Sequence, residues 1–224
     1  MFGNLGKISQ PDNRPNNGRL CRYCTENFAI FQKALRMGIR INAVNIFLGK
    51  RGTGKSWYVK YFLIPYYRKH HPEKKIFIFD TLDHPLYRDI ESVNIADLKK
   101  IKSPGVYRCF SSDTDEILRQ SENIYNALMI YEDASKYLRR QIPDTVRRFI
   151  LDSKQKNADL VFLFHGFSFV PPEMFRISDG LLLFKCDNPA YRKADIVNYT
   201  EVEKTYNEVM KSKNPYFKKY VRIY

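Results

Sequence analysis

Gly49-Lys50-Arg51-Gly52-Thr53-Gly54-Lys55-Ser56 decides how the rest of the chain is read. It satisfies G-x-x-x-x-G-K-[ST] at each fixed position. Its flanks agree with it. Ile41 to Leu48, with Val44, Ile46 and Phe47, is an apolar, β-branched run that predicts a strand over 42–48. Ser56 to about Lys69 carries a helical pattern, which Pro65 is expected to bend or end near Leu63–Ile64. Strand, glycine loop and helix together make a phosphate cradle. Glycine admits backbone angles and close approaches that a Cβ forbids. The freed N–H groups then point inward at the positive end of the following helix. Nucleotide binding is therefore assigned to Gly49, Lys50, Arg51, Gly52, Thr53, Gly54, Lys55, Ser56 and Trp57. Lys55 is placed to reach the β- and γ-phosphates, and the Ser56 hydroxyl to ligate Mg²⁺. ATP and Mg²⁺ are the expected cofactors.

Outward from this stretch, buried strands alternate with helices. Lys75-Ile76-Phe77-Ile78-Phe79-Asp80 is apolar on both faces, as a parallel strand covered on both sides must be. Further strands are expected at 105–110, 127–133, 159–166 and 180–186, with an edge strand near 216–224. Helices are expected from Asp113 or Thr114 to about Asn126 and over 200–212, with short helical pieces at 84–90 and 96–101. The fold class this predicts is α/β, with a mainly parallel central sheet flanked by helices. The organisation expected is an N-terminal arm and helix over 1–40, a core over 41–190, and a helix and edge strand over 191–224 belonging to the same domain. Cys21-x-x-Cys24 lacks the second ligand pair that a structural zinc site needs.

The 224 residues carry a net charge of +14, which points to a polyanionic partner: DNA, RNA or an acidic membrane surface. There is no signal peptide and no apolar run of 18 residues, so a soluble, intracellular protein is expected, without a transmembrane segment.

Hydrolysis at a phosphate loop needs an acid for the metal's water shell and an acid to orient the attacking water. A strand neighbouring the phosphate-loop strand is expected to supply the first. Ala127-Leu128-Met129-Ile130-Tyr131-Glu132-Asp133 ends a strand in two acids, which suits both tasks. Glu132 is assigned to Mg²⁺ and Asp133 to polarising water, though the roles could be exchanged. Asp80 is either a supporting acid or a solvated strand end. His165 ends another strand, Asp159 to Gly166, and is a candidate sensor of the γ-phosphate. Spreading the transition-state charge calls for a further cation. Arg139, Arg140, Arg147 and Arg148 are candidates, acting across a subunit boundary or contacting DNA.

With these pieces in order, the chain resembles the FtsK–HerA superfamily of P-loop NTPases that pump DNA. Within it, the small genome-packaging ATPases of membrane-containing icosahedral viruses, including the archaeal turreted type, are most similar. The phosphate loop, Phe62-Leu63-Ile64-Pro65, the Asp80 strand end, Met129-Ile130-Tyr131-Glu132-Asp133-Ala134 and Leu163-Phe164-His165-Gly166 carry the resemblance, over about residues 42–186. Two departures stand out. The family usually has Gln or Thr where this chain has His165. It often has an Arg shortly before that strand, where the nearest match is Lys154, which lacks the planar fork. The resemblance implies an ATP hydrolase that translocates double-stranded DNA and packages a viral genome into a preformed capsid. It also implies a hexameric or pentameric ring, a partner at the capsid vertex or membrane, and a place in the host cytoplasm or with the virion. Loops 84–92 and 167–176 are candidates to line the ring. Alternatives are a filamentous-phage assembly or DNA-transfer ATPase of the same superfamily, a nucleotide kinase with lid arginines, and a nucleic-acid-binding protein whose phosphate loop is structural.

Overall fold

The computed structural model describes residues 42–138 and 142–223. The expected arm and helix of 1–40, Cys21-x-x-Cys24, Arg139 and Arg140 lie outside the described residues.

Eight strands form one sheet in the order β3-β4-β2-β5-β6-β1-β7-β8. They are β1 (Val44–Leu48), β2 (Lys75–Asp80), β3 (Glu91–Ser92), β4 (Gly105–Phe110), β5 (Ala127–Tyr131), β6 (Ala158–Phe164), β7 (Gly180–Leu183) and β8 (Lys219–Arg222). Every pairing is parallel except β7 with β8, which is antiparallel and closes one edge. The helices are α1 (55–70), α2 (Thr114–Ser121), α3 (Asp144–Asp152), α4 (Pro172–Ile177) and α5 (Tyr199–Lys211). This is the α/β architecture expected from the alternation of apolar runs.

The register explains why chemistry gathers at one sheet edge. Leu48 pairs with Phe164 on one side and Leu183 on the other. Phe79 pairs with Tyr131, and Tyr131 with Phe162. The residues that follow these ends (Gly49, Asp80, Glu132 and His165) therefore emerge together. β6 lies between β1 and β5. The acid pair thus comes from a strand one removed from the phosphate-loop strand, not from its immediate neighbour as expected. His165 occupies the neighbouring position instead.

Aromatic side chains bind the central strands. The rings of Phe79, Tyr131 and Phe162 stack in sequence, with centroids 4.9 and 4.8 Å apart. Each such pair contributes about 1 kcal/mol beyond its buried area.

Two local expectations are narrowed or corrected. Of the two outcomes expected of Pro65, bending or ending the helix after the loop, the second does not occur, and the helical pattern changes just before the proline. α1 runs as an α-helix over Lys55–Tyr58, a π turn over Val59–Leu63 and an α-helix again over Ile64–His70. The N–H of Ile64 reaches back five residues to the Val59 carbonyl. A proline ring clashes with the carbonyl four residues earlier, here Tyr61, and the widened turn contains that residue. α2 is capped by Asp113, whose side chain accepts from the Glu116 N–H at 2.9 Å, but it ends at Ser121 rather than near Asn126. Asn126 instead takes a left-handed turn, φ 54°, into β5. After Asp133 the described residues form a short 3₁₀ turn, Ala134–Lys136, and then the helix α3.

Candidate nucleotide-binding site

The loop between β1 and α1 is shaped by its glycines. Gly52 and Gly54 have φ of 76° and 89°, in the region that disfavours a Cβ. A Cβ on Gly49 would meet both Phe184 Cβ and Thr53 Oγ1 at 2.6 Å. The loop is tied down at its start. The Gly49 N–H donates to Phe164, the Lys50 N–H to Lys185, and the Thr53 hydroxyl to the Lys50 carbonyl. Lys55 is buried, and its ammonium donates to the carbonyls of Gly49 and Lys50. Burial lowers its pKa, while the charges of Glu132 and Asp133 oppose that shift.

Glu132 is buried just past β5, and its N–H donates to the Phe79 carbonyl. Its carboxylate accepts a short hydrogen bond from the Tyr87 hydroxyl, whose oxygen also lies 3.3 Å from the Ser56 carbonyl. Burial raises the Glu132 pKa. Hydrogen bonding from Tyr87 and Ser56 and the proximity of His84 and Lys55 work against it. Asp133 takes a left-handed conformation, φ 52°. Its carboxylate lies 3.1 Å from His165 Nε2, accepts from Ser135 Oγ at 3.2 Å and lies 3.4 Å from Lys136 Nζ.

Burial, with the charge of Lys55 and Arg51, lowers the His165 pKa against the pull of Asp133. The ring is therefore neutral near pH 7. Facing a carboxylate, it carries its proton on Nε2, which leaves the buried Nδ1 as an acceptor. Nδ1 has no hydrogen-bond partner among the described residues.

The structure thus brings Lys55, Ser56, Glu132, Asp133 and His165 together. Other candidates fall elsewhere. Asp80 is not the solvated strand end that one reading allowed. It is 1% exposed and hydrogen-bonded to Arg108, at 2.7 and 3.2 Å, and to the N–H groups of Leu82 and His84. Arg108 is shared with Asp83 at 2.6 Å. This network shapes the 81–84 turn that delivers Tyr87 to Glu132. Arg147 is engaged by Glu173 and Asp144. Arg148 is exposed and has no ion-pair partner among the described residues. Trp57 is 49% exposed, its ring packed on Tyr61 and Phe62. Sequence reasoning missed Tyr87. Nothing in its local pattern marks it among sixteen tyrosines, because its role depends on the Asp80 turn.

The residues present fit a Mg²⁺ ion held jointly with a nucleotide. Ser56 and Glu132 offer hard oxygen donors at one point. No cluster of three His, Cys, Asp or Glu side chains able to hold a metal alone occurs among the described residues. Magnesium bound through one or two protein oxygens with substrate phosphates and water suits such a site.

No protein-family model matches the chain, and no curated protein matches it by sequence. Solved structures do. The genome-packaging NTPase B204 of Sulfolobus turreted icosahedral virus 2, in complex with ATP-gammaS, superposes with a TM-score of 0.67 at 13% identity. The match covers 83% of this chain and 94% of that one. The DNA-packaging ATPase B204 of Sulfolobus turreted icosahedral virus gives a TM-score of 0.63 at 12% identity, covering 83% and 94%. The chain has the fold of the P-loop NTPases. Among the described residues, no helix is long and apolar enough to cross a membrane.

Proposed function

We propose that this protein is an ATP hydrolase that translocates double-stranded DNA, packaging a viral genome into a preformed capsid as part of a homo-oligomeric ring. The observation that carries the reading is the convergence of Lys55, Ser56, Glu132, Asp133 and His165 at the edge where β1, β5 and β6 end. The likeness to genome-packaging NTPases and the net charge of +14 support it.

The loop N–H groups and Lys55 bind and orient the phosphates. Ser56 and Glu132 would hold Mg²⁺, which when bound neutralises phosphate charge. Asp133 orients water toward the γ-phosphate, and the neutral His165 donates to Asp133 and fixes its carboxylate. A cation from outside the loop stabilises the charge of the transferring group. Arg148 suits that role in a neighbouring subunit better than Arg147, which Glu173 already engages. Basic side chains grip DNA phosphates without reading sequence.

The test is ATP hydrolysis with and without long duplex DNA, with Lys55→Ala as control. DNA is expected to raise turnover, and Lys55→Ala to abolish it. Turnover indifferent to DNA but accelerated by a nucleoside monophosphate would overturn the motor reading in favour of a kinase.

A further inference from the structure

The turn between α5 and β8 reaches over the start of α1. Lys185 Nζ donates to the Ser212 carbonyl at 2.7 Å, anchoring the end of α5 to the segment that follows β7. Asn214 then organises the turn. Its side chain accepts from the Tyr216 N–H at 2.9 Å, and its carbonyl accepts from the Phe217 N–H. The Lys218 ammonium lies over the rings of Tyr58, Phe62 and Phe184, at 4.9, 5.9 and 5.9 Å from their centroids. These contacts fix Tyr216 against the phosphate loop. Its Cδ1 lies 3.2 Å from where a Cβ on Gly54 would stand.

Tyr216 is nevertheless 58% exposed. Trp57, exposed one turn further along, has its ring 5.2 Å from both Tyr61 and Phe62. Tyr216 has no aromatic partner among the described residues. Its neighbour Phe217, by contrast, packs against the core. A large apolar ring held in place by its backbone, yet left open beside a phosphate-binding turn, is a stacking surface without an occupant among the described residues. The phosphates of a nucleotide at Gly54, Lys55 and Ser56 take the inward N–H groups, so its base lies outside the loop. Among the described residues, the aromatic ring that meets the outer side of Gly54 is Tyr216, through Cδ1 and Cε1.

Resting on the nucleotide reading above, we propose that Tyr216 is the platform on which the nucleotide base stacks, and that it favours a purine. Stacking requires only a π-face, and the fused purine rings offer more of one than a pyrimidine does. The same contact disfavours a side chain at residue 54. A methyl there would crowd the ring as well as strain the left-handed backbone.

The test separates the base from the phosphates. Calorimetric titration with ADP, CDP and inorganic pyrophosphate, each with Mg²⁺, compares the native protein with Tyr216→Leu and Tyr216→Phe. Leucine keeps bulk over Gly54 but lacks the π-face. It is expected to weaken ADP about tenfold, erase the preference for ADP over CDP and leave pyrophosphate unchanged, while phenylalanine retains ADP affinity. Equal losses for ADP and pyrophosphate would mean that Tyr216 only props the loop, and would overturn the platform. So would a native protein that binds pyrophosphate as tightly as ADP, although the phosphate loop would then stand. Failure of the native protein to bind either ligand would overturn the nucleotide reading, and the platform with it.

Discussion

Glu132 and Tyr87 show how one buried carboxyl is tuned. The Glu132 pKa is raised by burial, so the ionised side chain costs stability in the ligand-free protein above that raised value. As pH falls through it toward the unfolded value, the native state takes up the proton first and that cost disappears. Glu132→Gln keeps the shape and an acceptor for Tyr87 but removes the charge. Its melting temperature without nucleotide is expected to exceed that of the native protein at pH 8, and the gap to close toward pH 5. A constant gap across that range would show that ionisation is not the cause. Tyr87→Phe removes a donor that favours the ionised carboxyl, so the Glu132 pKa rises further. The acid limb of the ATPase pH profile is expected to move to higher pH, with KM for ATP little changed. An unmoved limb would place Tyr87 in packing alone.

The elements that hold the site are short turns, and two of them can be probed directly. The 81–84 turn depends on the Asp80–Arg108 pair, whose side chains are 2% and 7% exposed. Removing Asp80 leaves the buried Arg108 with only the more exposed carboxylate of Asp83. Asp80→Ala is expected to destabilise the fold by about 3 kcal/mol in urea unfolding and to lower turnover by releasing Tyr87 from Glu132. The phosphate loop depends on left-handed glycines. Gly54→Ala is expected to cost about 1 kcal/mol from backbone strain and to weaken ADP as well as pyrophosphate, since the cradle itself deforms. α1 tolerates Pro65 because its π turn has already shifted the hydrogen-bonding pattern. The proline is legible in the sequence, but its accommodation is not.

In the assembled molecule, the proposed ring makes a prediction that a monomer cannot meet. Lys55→Ala and Arg148→Ala subunits are each expected to be inactive alone. If Arg148 acts across a subunit boundary, mixing them restores activity, because some interfaces then join an intact loop to an intact arginine. Absence of recovery in co-assembled mixtures would place the cation elsewhere. The charge of +14 predicts that DNA stimulation weakens steeply with salt, as phosphate contacts that displace counterions do.

The phosphate loop, the acid pair and the strand-end histidine were legible because each is a contiguous stretch with a strong local signature. Glycines set backbone angles, and apolar runs ending in polar residues mark strands that point at a sheet edge. The parallel α/β class followed from the same alternation. Strand order was not legible, because it depends on how crossover helices pack, and β6 rather than β5 came to lie beside β1. For Asp80 the strand end left two readings open, a supporting acid or a solvated one, and its burial rules out the second. Only its distance to Arg108, 28 positions away in sequence, reveals it as the anchor of a turn. Tyr87 and Tyr216 were invisible for the same reason. One reaches Glu132 across 45 positions, and the other meets Gly54 through a turn far down the chain, so each acquires its role from folding rather than from its neighbours in sequence.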